Sequence, residues 1–193
     1  MNKPADAYLI DQIIAGHKSL FAQLIDRYSA MAFTLAFRIL DNREDAEEVV
    51  QDAFVKAYEH LGDFRQKSKF STWLYRIVYN TAITSTRNRK PFLQEIDGQS
   101  YQVPDTGSSD GLVYGFTTDE AGELVRKMLA LLPEEDRIII TLYYLNESGI
   151  EEIHAITGLS KANIKVRLFR ARKKMQECTS RVSDTMSLCP INT

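Results

Sequence analysis

Between Arg65 and Lys90 the chain reads RQKSKFSTWLYRIVYNTAITSTRNRK, with seven basic residues (Arg65, Lys67, Lys69, Arg76, Arg87, Arg89, Lys90), no acid, and four aromatics. Wound as a helix at about 100° per residue, Trp73, Arg76, Asn80, Thr84 and Arg87 fall within roughly 80° of one another, and Leu74, Val78, Thr81 and Ser85 make a separate, less polar face. Guanidinium groups hold phosphates, a ring stacks on bases and an amide meets base edges, which is the set that single-stranded DNA requires. Taken alone, the same stripe also suits a helix with a core Trp and solvated charges. A second acid-free block, Ser160 to Gln176, carries seven more basic residues (Lys161, Lys165, Arg167, Arg170, Arg172, Lys173, Lys174). These two blocks of seven hold fourteen of the 24 Lys and Arg residues, although the formal charge of the whole chain is −2. Two basic blocks offset by acids elsewhere are the footprint of two nucleic-acid contacts.

The elements that must position these residues read as helices. Ala5 to Ala15 is a short amphipathic helix (Tyr8, Leu9, Ile13) closed by Gly16, and Ser19 to Leu40 repeats apolar residues at the spacing of a helix with one buried side. The next helix opens at Asp41, with Glu44 three residues on as a capping-box variant. Its apolar face is Ala46, Val50, Ala53, Phe54, Ala57 and Leu61, and its other face is Glu48, Gln51, Asp52, Val55 and Glu59. A valine set among carboxylates fits docking on a basic partner helix; a solvated acidic face with one stray apolar residue fits the pattern as well. A loop, Asp63 to Ser68, leads into the basic aromatic helix.

Pro91 to Phe116 holds two prolines, four glycines and no Lys or Arg, a flexible linker between two helical domains. The second domain starts near Thr117, a capping residue with Glu120, and a first helix ends before Pro133. Pro133 at a first helical position, followed by Glu134, Glu135 and Asp136, starts another, which Gly149 ends. Ile150, Ile153 and Ile156 define a short helix, Gly158 a turn, and Ser160 the cap of a helix to about Cys178 with Ile164, Leu168, Ala171 and Met175 inward. This is a helix-turn-helix pattern. It turns Ala162, Lys165, Val166, Phe169 and Lys173 outward with Arg170 and Arg172 on the flanks, as a helix reading the major groove requires. The fold expected is all-α: two small helical domains, residues 5–90 and 117–178, a linker over 91–116, and a disordered tail over 179–193.

At 193 residues with 26% charged and 44% hydrophobic, the composition is that of a globular protein. The N-terminus lacks a signal-peptide core and no run reaches the length of a membrane span, so a cytoplasmic protein is expected. The two cysteines, Cys178 and Cys189, lie in the last helix and the tail, and His17, His60 and His154 are scattered, so neither a metal nor another cofactor is expected. An enzyme acting on nucleic acid finds no HExxH, CxxC or P-loop pattern to support it, and the acids after Pro133 belong to their helix start.

The stretches DAEEVVQDAFVKAY (Asp45 to Tyr58), FSTWLYRIVYNTA (Phe70 to Ala82), LLPEEDRIIITLYYL (Leu131 to Leu145) and SKANIKVRLFRARKKM (Ser160 to Met175), in this order, resemble bacterial RNA polymerase sigma factors of the extracytoplasmic-function type. The resemblance runs over nearly all of residues 5 to 178. It implies a transcription initiation factor, not an enzyme, that binds core RNA polymerase, directs it to promoter DNA and helps open it, and that is commonly held by an anti-sigma inhibitor protein. On it, Asp45, Glu48, Gln51, Asp52 and Val55 dock on the polymerase. Phe64, Arg65, Ser68, Lys69, Phe70, Trp73, Arg76, Asn80, Thr84 and Arg87 read and separate the minus-ten element, the loop receiving an extruded base. Lys161, Lys165, Val166, Phe169, Arg170, Arg172 and Lys173 read the minus-thirty-five element. Two positions depart from the family pattern: Ala162-Asn163 stands where a small residue and Thr are frequent, and Val166 where a polar residue is common. The family's extra middle domain is absent. Without the resemblance, a helix-turn-helix regulator that dimerises through Asp45 to Tyr58 and never meets polymerase fits the same pattern.

Overall fold

The computed structural model describes residues 5–96, 125 and 128–186, which are helical with connecting turns and contain no strand. Seven helices are bounded: α1 (Asp6–Ile14), α2 (Phe21–Leu40), α3 (Arg43–Glu59), α4 (Phe70–Ile96), α5 (Glu134–Tyr144), α6 (Ile150–Thr157) and α7 (Lys161–Met186). The chain divides into two compact units, and α1 to α4 build the first.

In that unit α2, α3 and α4 pack on one another, each burying the apolar stripe its sequence spaces three and four residues apart. Leu24, Ala32, Leu35 and Ala36 of α2, Ala46, Ala53 and Ala57 of α3, and Leu74, Val78 and Ala82 of α4 are fully excluded from solvent. Small residues on α3 let the backbones approach, and Phe21 fills the remaining space edge-on to Phe54 (6.4 Å) and Tyr58 (5.0 Å). α1 lies across α2 and against the one-turn helix Leu61–Asp63. It buries Leu9, Ile10 and Ile13 and leaves Tyr8, expected on the same face, 57% exposed.

Several boundaries differ from the sequence expectation. Asp41 does not open α3: it takes the left-handed conformation (φ 50°) that closes α2, its N–H bonded to the Phe37 carbonyl at 2.9 Å. Asn42 is the cap instead, its Oδ1 accepting from the Asp45 N–H at 3.0 Å. α4 continues past Lys90 to Ile96, six residues into the expected linker, even though Pro91 takes one N–H out of the helix ladder. α7 likewise passes Cys178 and runs to Met186, so residues 179–186, expected in a disordered tail, are helical; no Gly or Pro occurs between Lys161 and Met186 to end it. The Thr117 cap, the remainder of the linker and Cys189 lie outside the described residues.

In the second unit α5 packs against α7. Pro133 stands just ahead of α5 (φ −54°, ψ 148°), at the cap position and not at the first helical one expected of it, and Glu134, Glu135 and Asp136 fill the first turn. The α6 start is fixed by Gly149, whose N–H donates to the Glu152 carboxylate at 2.8 Å. Gly158 supplies the turn at φ 75°, a conformation open to glycine and strained for other residues. Ser160 then caps α7 through the Asn163 N–H (3.2 Å). Ile164, Leu168 and Ala171 are buried, and Met175, expected inward with them, is half-buried.

Candidate nucleic-acid and docking interfaces

Burying Ala46, Val50, Ala53 and Ala57 turns the opposite side of α3 to solvent. There Glu48, Gln51, Asp52 and Glu59 are exposed, and Val55 is 56% exposed among them. Asp45 does not join them. It is 8% exposed, because the turn that its N–H closes with Asn42 sets it on the buried edge of the first turn. Beside this face a hollow of about 280 Å³ opens between α2 and α3, lined by Phe33, Arg43, Glu47 and Gln51 among others. Sequence spacing gave no sign of it, since its lining comes from two separate helices.

The loop ahead of α4 exposes Arg65, Ser68 and Lys69, with Phe64 half-buried behind them. Phe70, expected among the residues at the DNA, is 2% exposed and belongs to the core; as the first residue of α4 it packs against Tyr28 at 5.4 Å. Trp73 is half-buried, its ring 5.2 Å from Phe64 and 5.7 Å from Phe70, so one part packs and the other faces out. Further along α4, Arg76, Asn80, Thr84 and Arg87 are all exposed on one stripe. The Thr84 hydroxyl donates to the Asn80 carbonyl at 2.8 Å, which leaves its oxygen free only to accept. Tyr75, in the same basic stretch, is buried and unavailable. The stripe thus presents two guanidinium groups, an amide and the outer part of an indole along one helix, with the loop cations at its start.

On α7 the basic residues separate into two groups. Arg167 faces inward, its guanidinium bonded to Asn163 (2.9 Å), to the nearly buried Asp136 (2.8 Å) and to Glu135, which ties α7 to the start of α5. Arg172 is exposed but lies over Tyr143 (5.0 Å) and Tyr144 (5.5 Å) and donates to the Tyr144 hydroxyl at 2.8 Å. Lys174 donates to the Leu131 carbonyl, and Lys161 pairs with Glu151 at 2.5 Å. Lys165, Arg170 and Lys173 have no ion-pair partner among the described residues and are exposed. Next to them stand the apolar side chains Val166 (46% exposed) and Phe169 (68%). Lys161 and Arg172, expected at the DNA, are thereby engaged with their own unit. No pattern in the sequence separates an arginine that braces the helix from one that faces out, because the partners are 31 and 28 residues away.

Among the described residues no group of three His, Cys, Asp or Glu side chains is placed to hold a metal, and no helix is long and apolar enough to cross a membrane.

Comparison with known proteins agrees with this division. The family model "Sigma-70 region 2" matches residues 24–92, and "Sigma-70, region 4" matches residues 122–175. The chain is 30% identical over 174 residues to the ECF RNA polymerase sigma factor SigW of Bacillus subtilis, covering 87% of this chain and 93% of SigW. It is 32% identical over 174 residues to the ECF RNA polymerase sigma-E factor of Escherichia coli, covering 87% and 91%. Among solved structures it is similar to CnrH in complex with the cytosolic domain of CnrY (26% identity, TM-score 0.64, covering 92% of this chain and 99% of that one). It is also similar to the sigma factor RpoE in complex with the anti-sigma factor NepR from Bartonella quintana (25%, 0.66, covering 83% and 96%). With the region-2 and region-4 matches falling on the two helical units, and relatives aligned over almost their whole length, the chain belongs to the ECF sigma factors of RNA polymerase.

Proposed function

We propose that this transcription initiation factor divides its work between the two units along the surfaces described above. Residues 5–90 form the region-2 domain, which holds core RNA polymerase by Glu48, Gln51, Asp52 and Val55 and meets the minus-ten element with the 64–69 loop and the α4 stripe. Residues 117–178 form the region-4 domain, which reads the minus-thirty-five element with Lys165, Val166, Phe169, Arg170 and Lys173. The observation that carries this reading is the outward placement of Glu48, Gln51, Asp52 and Val55 together on the side of α3 that the core of the first unit leaves exposed.

The chemistry follows from the residue types. Carboxylates on α3 steer a basic helix of the polymerase into place, and Val55 gives that contact an apolar centre. Once held, the chain meets duplex DNA along Arg76 and Arg87, whose charges neutralise phosphates. Opening the minus-ten element costs a few kcal/mol per unstacked step, and each base stacked on an aromatic ring returns about 1–3 kcal/mol. Trp73 is the ring on this stripe, and Phe64 and Phe70 hold it from behind. In the second unit Lys165, Arg170 and Lys173 hold phosphates or guanine edges, and Val166 and Phe169 meet the only apolar feature of the major groove, the thymine methyl.

No bond is made or broken by this chain in the proposed scheme; the polymerase supplies the chemistry. Its place is the cytoplasm, where polymerase and chromosome meet, and an anti-sigma protein that covers these faces holds it inactive. The test is reconstitution: purified chain added to core polymerase starts run-off transcription at defined positions on fragments of genomic DNA. Absence of core binding under every condition overturns the reading, and a palindromic footprint left by the chain alone replaces it with the dimeric regulator.

A further inference from the structure

We propose that α1 braces the 64–69 loop, with Asp11 as the positioning residue that makes the loop selective for the base it receives; this rests on the reading of that loop as part of the minus-ten receptor. The family match to region 2 starts at residue 24, so α1 lies ahead of it. From Arg65 to Lys69 every residue is exposed, so beyond Phe64 the loop has no buried side chain to hold its shape. At its bend Gln66 sits at φ 54°, in the left-handed region that L residues other than Asn and Asp seldom enter. Such a bend requires a hold from outside.

The hold comes from α1. Gln66 Nε2 donates to Asp11 Oδ1 at 3.1 Å, a contact across 55 positions of sequence. α1 is a firm support, because Leu9 and Ile10 are each 1% exposed and the Asp6 carboxylate accepts from both the Arg27 guanidinium and the Tyr28 hydroxyl. The second bond continues into the loop's own footing. The Tyr28 ring lies 5.4 Å from Phe70, and Phe70 lies 5.8 Å from Phe64 and 5.7 Å from Trp73. α1 thus reaches the bend directly through Asp11 and both ends of the loop, Phe64 and Phe70, through Asp6 and Tyr28. The charge of Asp11 points the same way. Asp11 meets the loop at Gln66, which stands between Arg65 and Lys67 in the chain, and a carboxylate there opposes an incoming phosphate, so its presence has a reason if it serves as the acceptor that fixes Gln66.

The experiment uses holoenzyme assembled from the full chain and core polymerase, on fork-junction DNA from a promoter found by run-off transcription, with each of the four bases placed in turn at each minus-ten position. The readout is the ratio of affinities for the best and worst base, beside the melting temperature of each variant. Asp11→Ala and Gln66→Ala are each expected to lower that ratio by about two- to fivefold, the effect of one exposed charge-assisted contact, with melting unchanged. Asp11→Asn keeps an oxygen acceptor and is expected to keep the ratio, and the double Ala variant to match the single ones. Unchanged ratios in both Ala variants overturn the brace, as does Asp11→Ala raising affinity for all four bases alike, which is loss of repulsion only. Asp11→Asn behaving like Asp11→Ala overturns it as well. If the unsubstituted holoenzyme shows no base preference at any minus-ten position, the reading of the loop fails and the brace falls with it; preference that survives every substitution sinks the brace alone.

Discussion

Phe169 offers a perturbation whose effects on folding and on DNA separate cleanly. The side chain is 68% exposed on the outward side of α7, so Phe169→Ala removes little from the core and should change unfolding free energy by less than about 0.5 kcal/mol. Its neighbours on that side are the charged Lys165 and Arg170 and the apolar Val166, 46% exposed. An apolar ring left in water there gains on binding only if it is covered. Covering most of a Phe side chain is worth about 1.5–3 kcal/mol, so Phe169→Ala should weaken binding to the upstream element by roughly tenfold to a hundredfold. If the ring covers a thymine methyl, replacing that thymine by deoxyuridine removes one methyl, worth about 0.8 kcal/mol or nearly fourfold. The assay is a double-mutant cycle with holoenzyme: wild type and Phe169→Ala on duplexes carrying each upstream thymine or deoxyuridine in turn. One position should show a loss for the wild type that vanishes in the variant. Equal deoxyuridine sensitivity in both proteins at every position refutes the apolar readout, and a large drop in melting temperature shows that Phe169 is part of the fold.

Other outcomes follow from the same geometry. Trp73→Ala should impair opening of duplex promoter DNA more than binding to a pre-melted one, while lowering stability by about 1–3 kcal/mol because its ring packs on Phe64 and Phe70; equal loss on both DNAs would make it a core residue only. Arg170→Ala should weaken the upstream contact by about 1–3 kcal/mol with relaxed selectivity if it reads a base, or on all sequences alike if it holds a phosphate. Arg167→Ala should instead unfold the second unit more readily, by about 3 kcal/mol, since the nearly buried Asp136 loses its partner; thermal melting of the two variants side by side separates the brace from the reader. Burial, with the Asp6 bond added at Tyr28, pushes the Tyr28 and Tyr75 phenols well above the usual tyrosine value. An unfolded chain then releases those protons first, so their stabilisation is whole below about pH 10 and is lost as pH climbs beyond it. Alkaline melts of the wild type and of Tyr28→Phe measure this, and identical slopes would contradict it.

The helices and the core of each unit were legible because burial needs a repeating stripe, and Leu24, Leu35, Leu74, Ile164 and Leu168 supply one. The turn at Gly158 and the cap at Ser160 were legible for a local reason, each acting within three residues. What escaped depends on distance or on a choice between neighbours. Asp41 and Asn42 are both good caps, and the left-handed closure of α2 by the first leaves the role to the second. Phe70 and Trp73 are three residues apart on a basic helix, and only the position of Tyr28 under the first turn of α4 decides which one is buried. Arg167 and Arg170 are likewise three apart, and acids on α5 capture one of them. Asp45, ahead of the exposed Glu48, Gln51 and Asp52, sinks with the helix start.

In the proposed scheme, capture by core polymerase depends on the outward side of α3. Glu48→Lys with Asp52→Lys, exposed substitutions that leave the core untouched, should leave the chain folded and able to bind an upstream duplex, yet abolish its capture by core polymerase and its run-off transcript. Transcription starting at the same positions and in the same yield with those two charges reversed would contradict it.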